Sequence, residues 1–391
     1  MSARRLDFLV PGDLRGATGG YVYDRSMAAG LRALGWNVRV HRLHASFPQP
    51  TTEALAHAEH VLECLPDEAC VLVDGLALGA MPQQIEAHSR RLTLIALTHT
   101  PLALRVGLAD ASAEHLRRQE RRALELVRHV IVTSRTTERD LEGCGVDPSR
   151  VSVVEPGVWL KPIANDPDHR TTDRDGDLDG DRGGDRGSDR GSDRAVRMLC
   201  VATVHEGKGH ELLIDALVPL AHLAWQLWCV GSLVRSPATA QRLVDRLRSA
   251  ALIDRVALVG EVPHAALSEL YLAADLFVLP TLRESYGMAV AESLAHGLPV
   301  VSTRTGAIPQ LVGGAAGLLT EPGDRDALRA ALQRALEHRE LRSSWRAAAL
   351  EARGRLTPWP RACALLAQVL ERVCACSERE RATDQGSYST R

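Results

Sequence analysis

Short, continuous apolar runs alternate with helix-like stretches along almost the whole chain. The runs lie at 6–10, 71–74, 92–97, 130–132, 227–230 and 276–279, and their polar members are Asp7, Asp74 and Thr93. A strand that is apolar at nearly every position is covered on both faces, which is typical of a parallel sheet with helices on either side. The alternation therefore predicts an α/β chain of doubly wound parallel sheets, with ligands at the carboxyl ends of the strands.

A segment of low complexity divides the chain near its middle. Asp, Arg and Gly dominate between 173 and 194, so no core can form there and we expect a disordered linker over 161–194. Asp175, Asp177 and Asp179 match the opening of a calcium loop, but Arg186 stands where the bidentate glutamate belongs. We therefore predict no metal site in the linker. At 391 residues, the chain is long enough for two domains with full cores.

The stretch Glu284-Ser-Tyr-Gly-Met-Ala-Val-Ala-Glu292 follows a strand-like run and opens a helix-like run through Ala295. If the helix begins near Tyr286, its free N–H groups and positive dipole end lie beside Glu284. Such an end favours phosphate, and Gly287 allows phosphate to approach the backbone. Glu292 would lie about 12 Å from Glu284 if the whole span were helical, which is too far to flank one glycosidic bond. The two carboxylates could instead hold hydroxyls on both sides of a diphosphate; the alternative is a surface helix with two solvated glutamates.

Lysine is rare in this chain, which makes its positions informative. Of 47 Lys and Arg residues, two are lysine, Lys161 and Lys208. Lys208 lies in a glycine-flanked turn between a strand-like run and a helix predicted from Glu211 to Leu220. Lysine is a compact point charge that suits phosphate and is not interchangeable with arginine there. We interpret Lys208 as a phosphate ligand rather than as an accident of a loop.

Together these features resemble the retaining nucleotide-sugar glycosyltransferases of the GT-B fold, known as glycosyltransferase family 4. That family carries a Lys-Gly after the first strand of its second domain and a Glu-x7-Glu block later, as Lys208-Gly209 and 284–292 do here. The resemblance implies two doubly wound Rossmann-like domains that face each other across a cleft. We expect an acceptor-side domain over 1–160 and a donor domain over 195–357. A C-terminal helix over 358–376 would return to the first domain, before a disordered tail over 377–391.

The resemblance also implies roles for individual residues. The donor would be a UDP- or GDP-sugar, and the acceptor a hydroxyl on a glycan, a lipid-linked molecule or a small molecule. Glu284 would hold the transferred sugar, Glu292 the ribose, and Lys208 the diphosphate together with amides near Gly287 and Met288. His99 would line the sugar from the first domain, where the Gly19-Gly20 pair opens a helix toward phosphate or acceptor. The family transfers with retention and needs no metal or other cofactor.

Two departures from the family pattern leave alternatives open. Thr203 occupies the place of an arginine that usually binds the diphosphate, and we expect Arg283 to substitute for it. Trp159 stands where an aspartate is common. The loss of the arginine supports a non-catalytic nucleotide-sugar-binding relative as one alternative. A sugar-nucleotide epimerase or hydrolase of similar fold is another, and His99 is its one acid/base candidate.

Composition narrows the class of protein further. A net charge of −2 argues against a general nucleic-acid role. The first ten residues lack the apolar core of a signal peptide, no apolar run approaches 18 residues, and the eight cysteines form no CxxC pair. We therefore expect a cytoplasmic protein. Such enzymes often contact lipids through a basic patch, so peripheral membrane contact stays open, although the arginines at 117–128 are more typical of a solvated helix face.

Overall fold

The computed structural model describes residues 4–160 and 194–388, with side chains up to Cys376. The predicted linker and its calcium-like stretch lie outside the described residues, apart from Arg194. Arg194 is the first described residue of the second half of the chain, and it donates a 2.7 Å bond to Asp275.

The first half forms a six-stranded sheet with helices on both faces. Its elements are β1 Arg5–Pro11, α1 Gly19–Ala33, β2 Asn37–Leu43, α2 Thr52–Glu63, β3 Cys70–Asp74, α3 Gly75–Leu78, α4 Pro82–His88, β4 Thr93–Thr98, α5 Asp110–Leu126, β5 His129–Val132, α6 Arg135–Glu142 and β6 Val151–Val153. Short 3-10 helices lie at Leu102–Leu104 and Pro148–Arg150.

The second half repeats the plan. Its elements are β7 Val196–Val201, α7 His210–Leu217, β8 Trp225–Val230, α8 Pro237–Ser249, β9 Val256–Gly260, α9 His264–Ala273, β10 Leu276–Leu279, α10 Met288–Ala295, β11 Val300–Thr303, α11 Ile308–Val312, β12 Gly317–Thr320, α12 Arg325–Glu337, α13 Arg339–Arg353 and α14 Trp359–Tyr388. Helix α7 is shorter than predicted because Pro219 follows it, and 3-10 helices lie at Glu206–Lys208 and Val218–Leu220.

The strand order of each sheet fixes where ligands can bind. The orders are β2-β1-β3-β4-β5-β6 and β12-β11-β10-β7-β8-β9, and the strand pairs of both sheets are parallel. The order reverses between β1 and β3 in the first sheet and between β7 and β10 in the second. Crevices outside the carboxyl ends of strands at such reversals are where open α/β sheets bind ligands. The predicted α/β fold with two doubly wound sheets is confirmed.

The continuous apolar strands are buried as predicted, because helices cover both faces of each sheet. In β1, Leu6, Phe8, Leu9 and Val10 are all at most 1% exposed. Alternate residues of this strand belong to two separate cores: Phe8 packs with α1, and Leu9 packs with α2. The second sheet and its helices share one further core.

Helix α14 joins the two halves. Thr357 O accepts a 2.9 Å bond from Val158 N just before the helix begins at Trp359. The apolar face of α14, including Leu366 and Leu370, then packs into the core around β1 and α1. The helix continues to Tyr388 instead of ending at Cys376, where we predicted a disordered tail. The added stretch contains Glu, Arg and Ala, which extend an existing helix at little cost. None of the described helices is both long and apolar enough to cross a bilayer.

Candidate functional site

The loops that follow β7 and β10 are pinned together at the reversal point of the second sheet. Gly207 O accepts a 2.8 Å bond from Leu282 N and a 3.0 Å bond from Thr281 Oγ1. Gly209 has a φ of +71°, and a Cβ on it would lie 2.1 Å from Pro280 O. Only glycine fits this close approach. The turn therefore places Lys208 beside the carboxyl end of β10.

Lys208 and Glu284 form an ion pair in this crevice. The Lys208 Nζ lies 2.5 Å from Glu284 Oε2, and the two side chains are 22% and 19% exposed. The backbone of Glu284 is fixed by the loop after β11: its N donates a 3.3 Å bond to Thr305 Oγ1, and a Cβ on Gly306 would lie 2.2 Å from its O. The sequence predicted both residues for one site, and the structure brings them into contact.

His205 stands beside this pair as a neutral group. Its Nδ1 accepts a 3.1 Å bond from Gly207 N. Burial, followed by the nearby ammonium of Lys208, lowers the pKa of His205 to about 4. At neutral pH His205 is therefore uncharged and adds no positive charge to this turn.

Helix α10 begins two residues later than predicted. It starts at Met288, and Gly287 precedes it with a φ of +94°, a left-handed conformation that glycine adopts without strain. No side-chain cap occupies this helix end. Glu284 therefore lies in an irregular loop rather than in a helical turn, and the 12 Å separation that assumed a continuous helix does not apply. The N–H groups of the first turn still have no partner within the helix.

Glu292 lies in the second turn of α10, in a partly buried position. Its Oε2 accepts a 3.1 Å bond from Tyr271 Oη. Burial raises the pKa of Glu292 to about 7, although the bond from Tyr271 acts to lower it. A shallow recess, partly open to solvent, adjoins this carboxyl group and is also lined by Trp159 and His264. The carboxyl group can accept hydroxyl hydrogen bonds there.

His99 lies at the corresponding crevice of the first sheet. Its Nε2 lies 3.0 Å from Asp24 Oδ1 and 3.5 Å from Asp74 Oδ2, and both carboxylates are buried. Burial lowers the pKa of His99, but the two carboxylates outweigh it and raise the pKa to about 10. Burial in turn raises the pKa of Asp24 to about 6, against the effect of His99. His99 is therefore an imidazolium at neutral pH, and its ring is 22% exposed.

The same three side chains have the chemistry of a divalent-cation site. One nitrogen and two carboxylate oxygens of His99, Asp24 and Asp74 lie within 4.8 Å of one another. Asp24 Oδ2 is buried and has no hydrogen-bond partner. The hydrogen bond and ion pairs of His99 account for the arrangement of the other atoms without a metal.

The glycine pair at the start of α1 lies between the two crevices. A Cβ on Gly20 would lie 3.5 Å from the ring of His99, and a Cβ on Gly19 would lie 3.5 Å from Met288 Sδ of the other half. Thr100, next to His99, hydrogen-bonds through Oγ1 to the Oγ of Ser285, next to Glu284. The structure therefore brings together Lys208, Glu284, Gly287, Met288, His99, Gly19 and Gly20 around one cleft.

Arg283 lies at the edge of this arrangement. Its Nη2 donates a 2.7 Å bond to Asp140 Oδ2 of α6, so it joins the two halves of the chain. The sequence predicts that Arg283 substitutes for the arginine whose place Thr203 occupies. In the structure its guanidinium group pairs with Asp140, and its contact with a donor stays a prediction.

Sequence reasoning missed Asp24 and set Asp74 aside as the end of a strand. Asp24 lies among the buried residues Tyr23, Met27 and Leu31 of α1. An acid on the apolar face of a helix is a signal, because a buried carboxylate requires a partner. The sequence cannot show that the partner is 75 residues away. Tyr271 and Asp140 carried no comparable signal.

Two family models match the chain on either side of the predicted linker. The model described as "Glycosyltransferase Family 4" matches residues 77–161, and the model "Glycosyl transferases group 1" matches residues 195–338. The second match contains Lys208, Glu284 and Glu292, and the first contains His99.

Curated relatives match parts of the chain. It is 36% identical over 121 residues to the lipopolysaccharide core biosynthesis mannosyltransferase LpsB of Rhizobium meliloti, covering 29% of this chain and 33% of that protein. It is 28% identical over 250 residues to the D-inositol 3-phosphate glycosyltransferase of Geodermatophilus obscurus, covering 62% of this chain and 52% of that protein. The chain thus spans about a third to a half of the length of these relatives.

Solved structures match almost the whole chain. Sucrose-phosphate synthase from Thermosynechococcus elongatus superposes with a TM-score of 0.77 at 20% identity, covering 95% of this chain and 100% of that chain. Anabaena HepE in complex with UDP-glucose superposes with a TM-score of 0.68 at 17% identity, covering 94% of this chain and 99% of that chain. The solved structures share the GT-B fold. The two family matches include the residues on which the resemblance rested, and the chain belongs to glycosyltransferase family 4.

Proposed function

We propose that the protein is a retaining glycosyltransferase that moves a sugar from a UDP- or GDP-sugar to a hydroxyl acceptor. The observation that carries the proposal is the Lys208–Glu284 pair at the reversal point of the second sheet, 2.5 Å between Nζ and Oε2. Relatives with glycosyltransferase names and the structure of HepE in complex with UDP-glucose support it.

The ion pair suggests how the donor enters. A diphosphate offers oxygens that bind an ammonium group more strongly than a single carboxylate does, so Lys208 would turn from Glu284 to the phosphates. Glu284 would then accept hydrogen bonds from hydroxyls of the sugar. The N–H groups at the start of α10, next to Gly287, would stabilise the charge that develops on the diphosphate as the sugar leaves.

The remaining predicted residues surround this centre. Glu292 would accept hydrogen bonds from the ribose, since its carboxyl group borders a recess and is fixed by Tyr271. The His99 imidazolium would lie over the sugar from the first half of the chain and add positive charge near the leaving group. In this scheme the leaving phosphate takes the proton of the acceptor hydroxyl, and the reaction needs no metal or other cofactor.

An assay of donor turnover tests the proposal. Each UDP- and GDP-sugar is incubated with the protein, alone and with glycan, sugar-phosphate or lipid acceptors, and release of the nucleoside diphosphate is measured. We expect release that depends on an acceptor and a product with the anomeric configuration of the donor, read by NMR. Lys208→Ala and Glu284→Gln should each lower the rate at least about a hundredfold, because each removes a group that acts on the transition state.

Other outcomes would replace the proposal with a defined alternative. Turnover of donor alone, giving free sugar or an epimer, would indicate a hydrolase or an epimerase. Donor binding without turnover under any condition would indicate a non-catalytic relative.

A further inference from the structure

Two cysteine side chains meet where the last helix crosses the first sheet. Cys70 is the first residue of β3, and Cys374 lies on α14. The Cys374 Sγ lies 2.8 Å from the Cys70 Sγ, although 304 positions of the chain separate the two residues. In this structure both side chains are thiols. A disulfide requires about 2.05 Å between its sulfur atoms, so a shift of less than about 1 Å brings this pair to bonding distance.

The backbone of Cys70 is fixed inside the first sheet. Cys70 pairs in register with Thr93 of β4, and the next residue, Val71, pairs with Asp7 of β1. Strand β3 therefore has a hydrogen-bonded neighbour on each side, and Cys70 is only 9% exposed. A residue in a central strand keeps its position, so the Cys70 sulfur stays where α14 meets it.

Contacts beside Cys374 fix α14 at the same place. Leu370 and Val373 are buried in the core around β1 and α1, and Cys374 packs against that core. Arg372 donates a 3.0 Å bond from its Nη2 to Ser152 Oγ of β6. The two sulfur atoms therefore face each other from a strand and a helix whose positions other contacts determine.

The two thiols differ in their access to solvent. Cys374 is partly exposed, whereas Cys70 is buried beneath it. A small oxidant can therefore reach Cys374 first, and Cys70 lies within reach of the oxidised sulfur. An accessible thiol beside a second thiol that resolves it is typical of cysteines that undergo reversible oxidation.

We propose that a peroxide converts Cys70 and Cys374 into a reversible disulfide, and that this bond fastens α14 to the first sheet. The Cys374 thiolate attacks one oxygen of hydrogen peroxide, which breaks the O–O bond and gives a sulfenic acid and hydroxide. The proton that Cys374 lost neutralises the hydroxide. The Cys70 thiol then attacks the sulfenic sulfur, the S–S bond forms, and the hydroxyl group leaves as water with the thiol proton. The two sulfur atoms lose two electrons in total, the peroxide becomes two molecules of water, and an added dithiol reverses the bond by exchange.

The disulfide should change the stability of the protein rather than the cleft. Cys70 begins β3, whereas Asp74, which faces His99, ends the same strand. The proposal is therefore independent of the proposed function. A bond between Cys70 and Cys374 closes a loop that contains most of the chain, and long closed loops restrict the unfolded chain most. We expect oxidation to raise the melting temperature by about 5 °C or more.

Thiol counting by mass spectrometry tests the pairing in the full chain. The protein is reduced with dithiothreitol, transferred to buffer without reductant, and treated with hydrogen peroxide in slight excess. It is then unfolded and alkylated with N-ethylmaleimide. The reduced protein should carry an adduct on each of its eight cysteines, and the oxidised protein two fewer. Peptide mapping should find Cys70 linked to Cys374, and dithiothreitol should restore all the adducts.

Serine variants of two cysteines on α14 link the pairing to stability. Cys374→Ser should lose the cross-link and the rise in melting temperature on oxidation. Cys376→Ser, an exposed position two residues away, is the matched control and should keep both. Peptide mapping uses the unaltered protein, so the assignment of the pair does not depend on how either variant folds. Thiols that all survive peroxide, a cross-link to a different cysteine, or a Cys70–Cys374 bond that leaves the melting temperature unchanged would overturn the proposal.

Discussion

His99 owes its positive charge to two buried carboxylates that the sequence places far from it. Asp24 lies in α1 and Asp74 at the end of β3, and both face the His99 ring nitrogen. Tyr23 packs edge-on against the same ring, and Thr133 and Thr137 donate hydrogen bonds to the His99 carbonyl. The ring is therefore fixed in orientation as well as in charge. A fixed imidazolium is a group that polarises or binds an anion rather than a general base.

Replacing Asp24 with Asn should lower the pH at which His99 loses its positive charge. Asp24 contributes most to raising the pKa of His99, so that pKa should fall toward its ordinary value of 6.5 or below. We expect the His99 ring to titrate at a lower pH, and the donor KM to rise with pH over the same interval. NMR titration of the ring and KM measured from pH 6 to 9 would check this. An unchanged His99 titration in Asp24→Asn would contradict the account.

The ion pair between His99 and Asp24 should also make the free energy of unfolding depend on pH. The folded-state pKa of His99 is raised to about 10 from an ordinary 6.5. The stability that this contributes is complete below about pH 6.5 and is lost as the pH rises toward 10. The free energy of unfolding of the unaltered protein should therefore fall over this range more steeply than that of Asp24→Asn. Urea unfolding at pH 6.5 and pH 9.5 measures the difference.

Glycines at the turns of the second half set the position of Glu284. Gly306 has a φ of +58°, and a Cβ on it would lie 2.2 Å from Glu284 O. Gly314 has a similar φ of +77° with no atom within 4 Å of an added Cβ. A comparison of alanine at these two positions therefore separates the effect of backbone strain from that of a steric clash.

Gly306→Ala should both destabilise the protein and move Glu284. Each alanine adds about 1–2 kcal/mol of left-handed strain. Gly306→Ala should cost about 1–3 kcal/mol more than Gly314→Ala because of the clash, and it alone should weaken donor binding. Urea unfolding and donor titration of the two variants measure these effects. Equal donor affinity in both would show that the Gly306 contact does not position Glu284.

The strands and most helices could be predicted because their signals are local. Continuous apolar runs and glycine-flanked turns fixed β1, β10 and the turn of Lys208. The start of α10 could not be predicted, because the conformation of Gly287 is set together with Ile308, which a Cβ on Gly287 would approach to 3.0 Å. The partners of His99 and Arg283 also lie far away in sequence, and only the assembled sheets bring them together.

Within the described residues, the polar contacts that link the two halves across the cleft include two between side chains. The Arg283–Asp140 pair spans 2.7 Å between side chains that are 34% and 25% exposed. Thr100 and Ser285 form a second contact beside the proposed sugar site. Because the ion pair is partly exposed, its contribution to stability is about 1 kcal/mol or less.

A double-mutant cycle on this pair decides how Arg283 acts. If Arg283 acts through Asp140, Arg283→Gln and Asp140→Asn should each weaken donor binding by about two- to fivefold, and the double variant no further. Donor titration of the three variants gives the coupling. A much larger loss in Arg283→Gln alone would instead support the direct donor contact that the sequence suggested.

We propose that one cleft between the two sheets binds a nucleotide diphosphate sugar through Lys208 and Glu292. Thermal-shift stabilisation against a panel of UDP-, GDP- and ADP-sugars tests it most directly, with Lys208→Ala, Glu292→Ala and the control Arg334→Gln beside the unaltered protein. We predict a shift with one nucleotide, kept in Arg334→Gln and lost in the other two variants. No shift with any donor, or a shift that survives in both Lys208→Ala and Glu292→Ala, would contradict the claim.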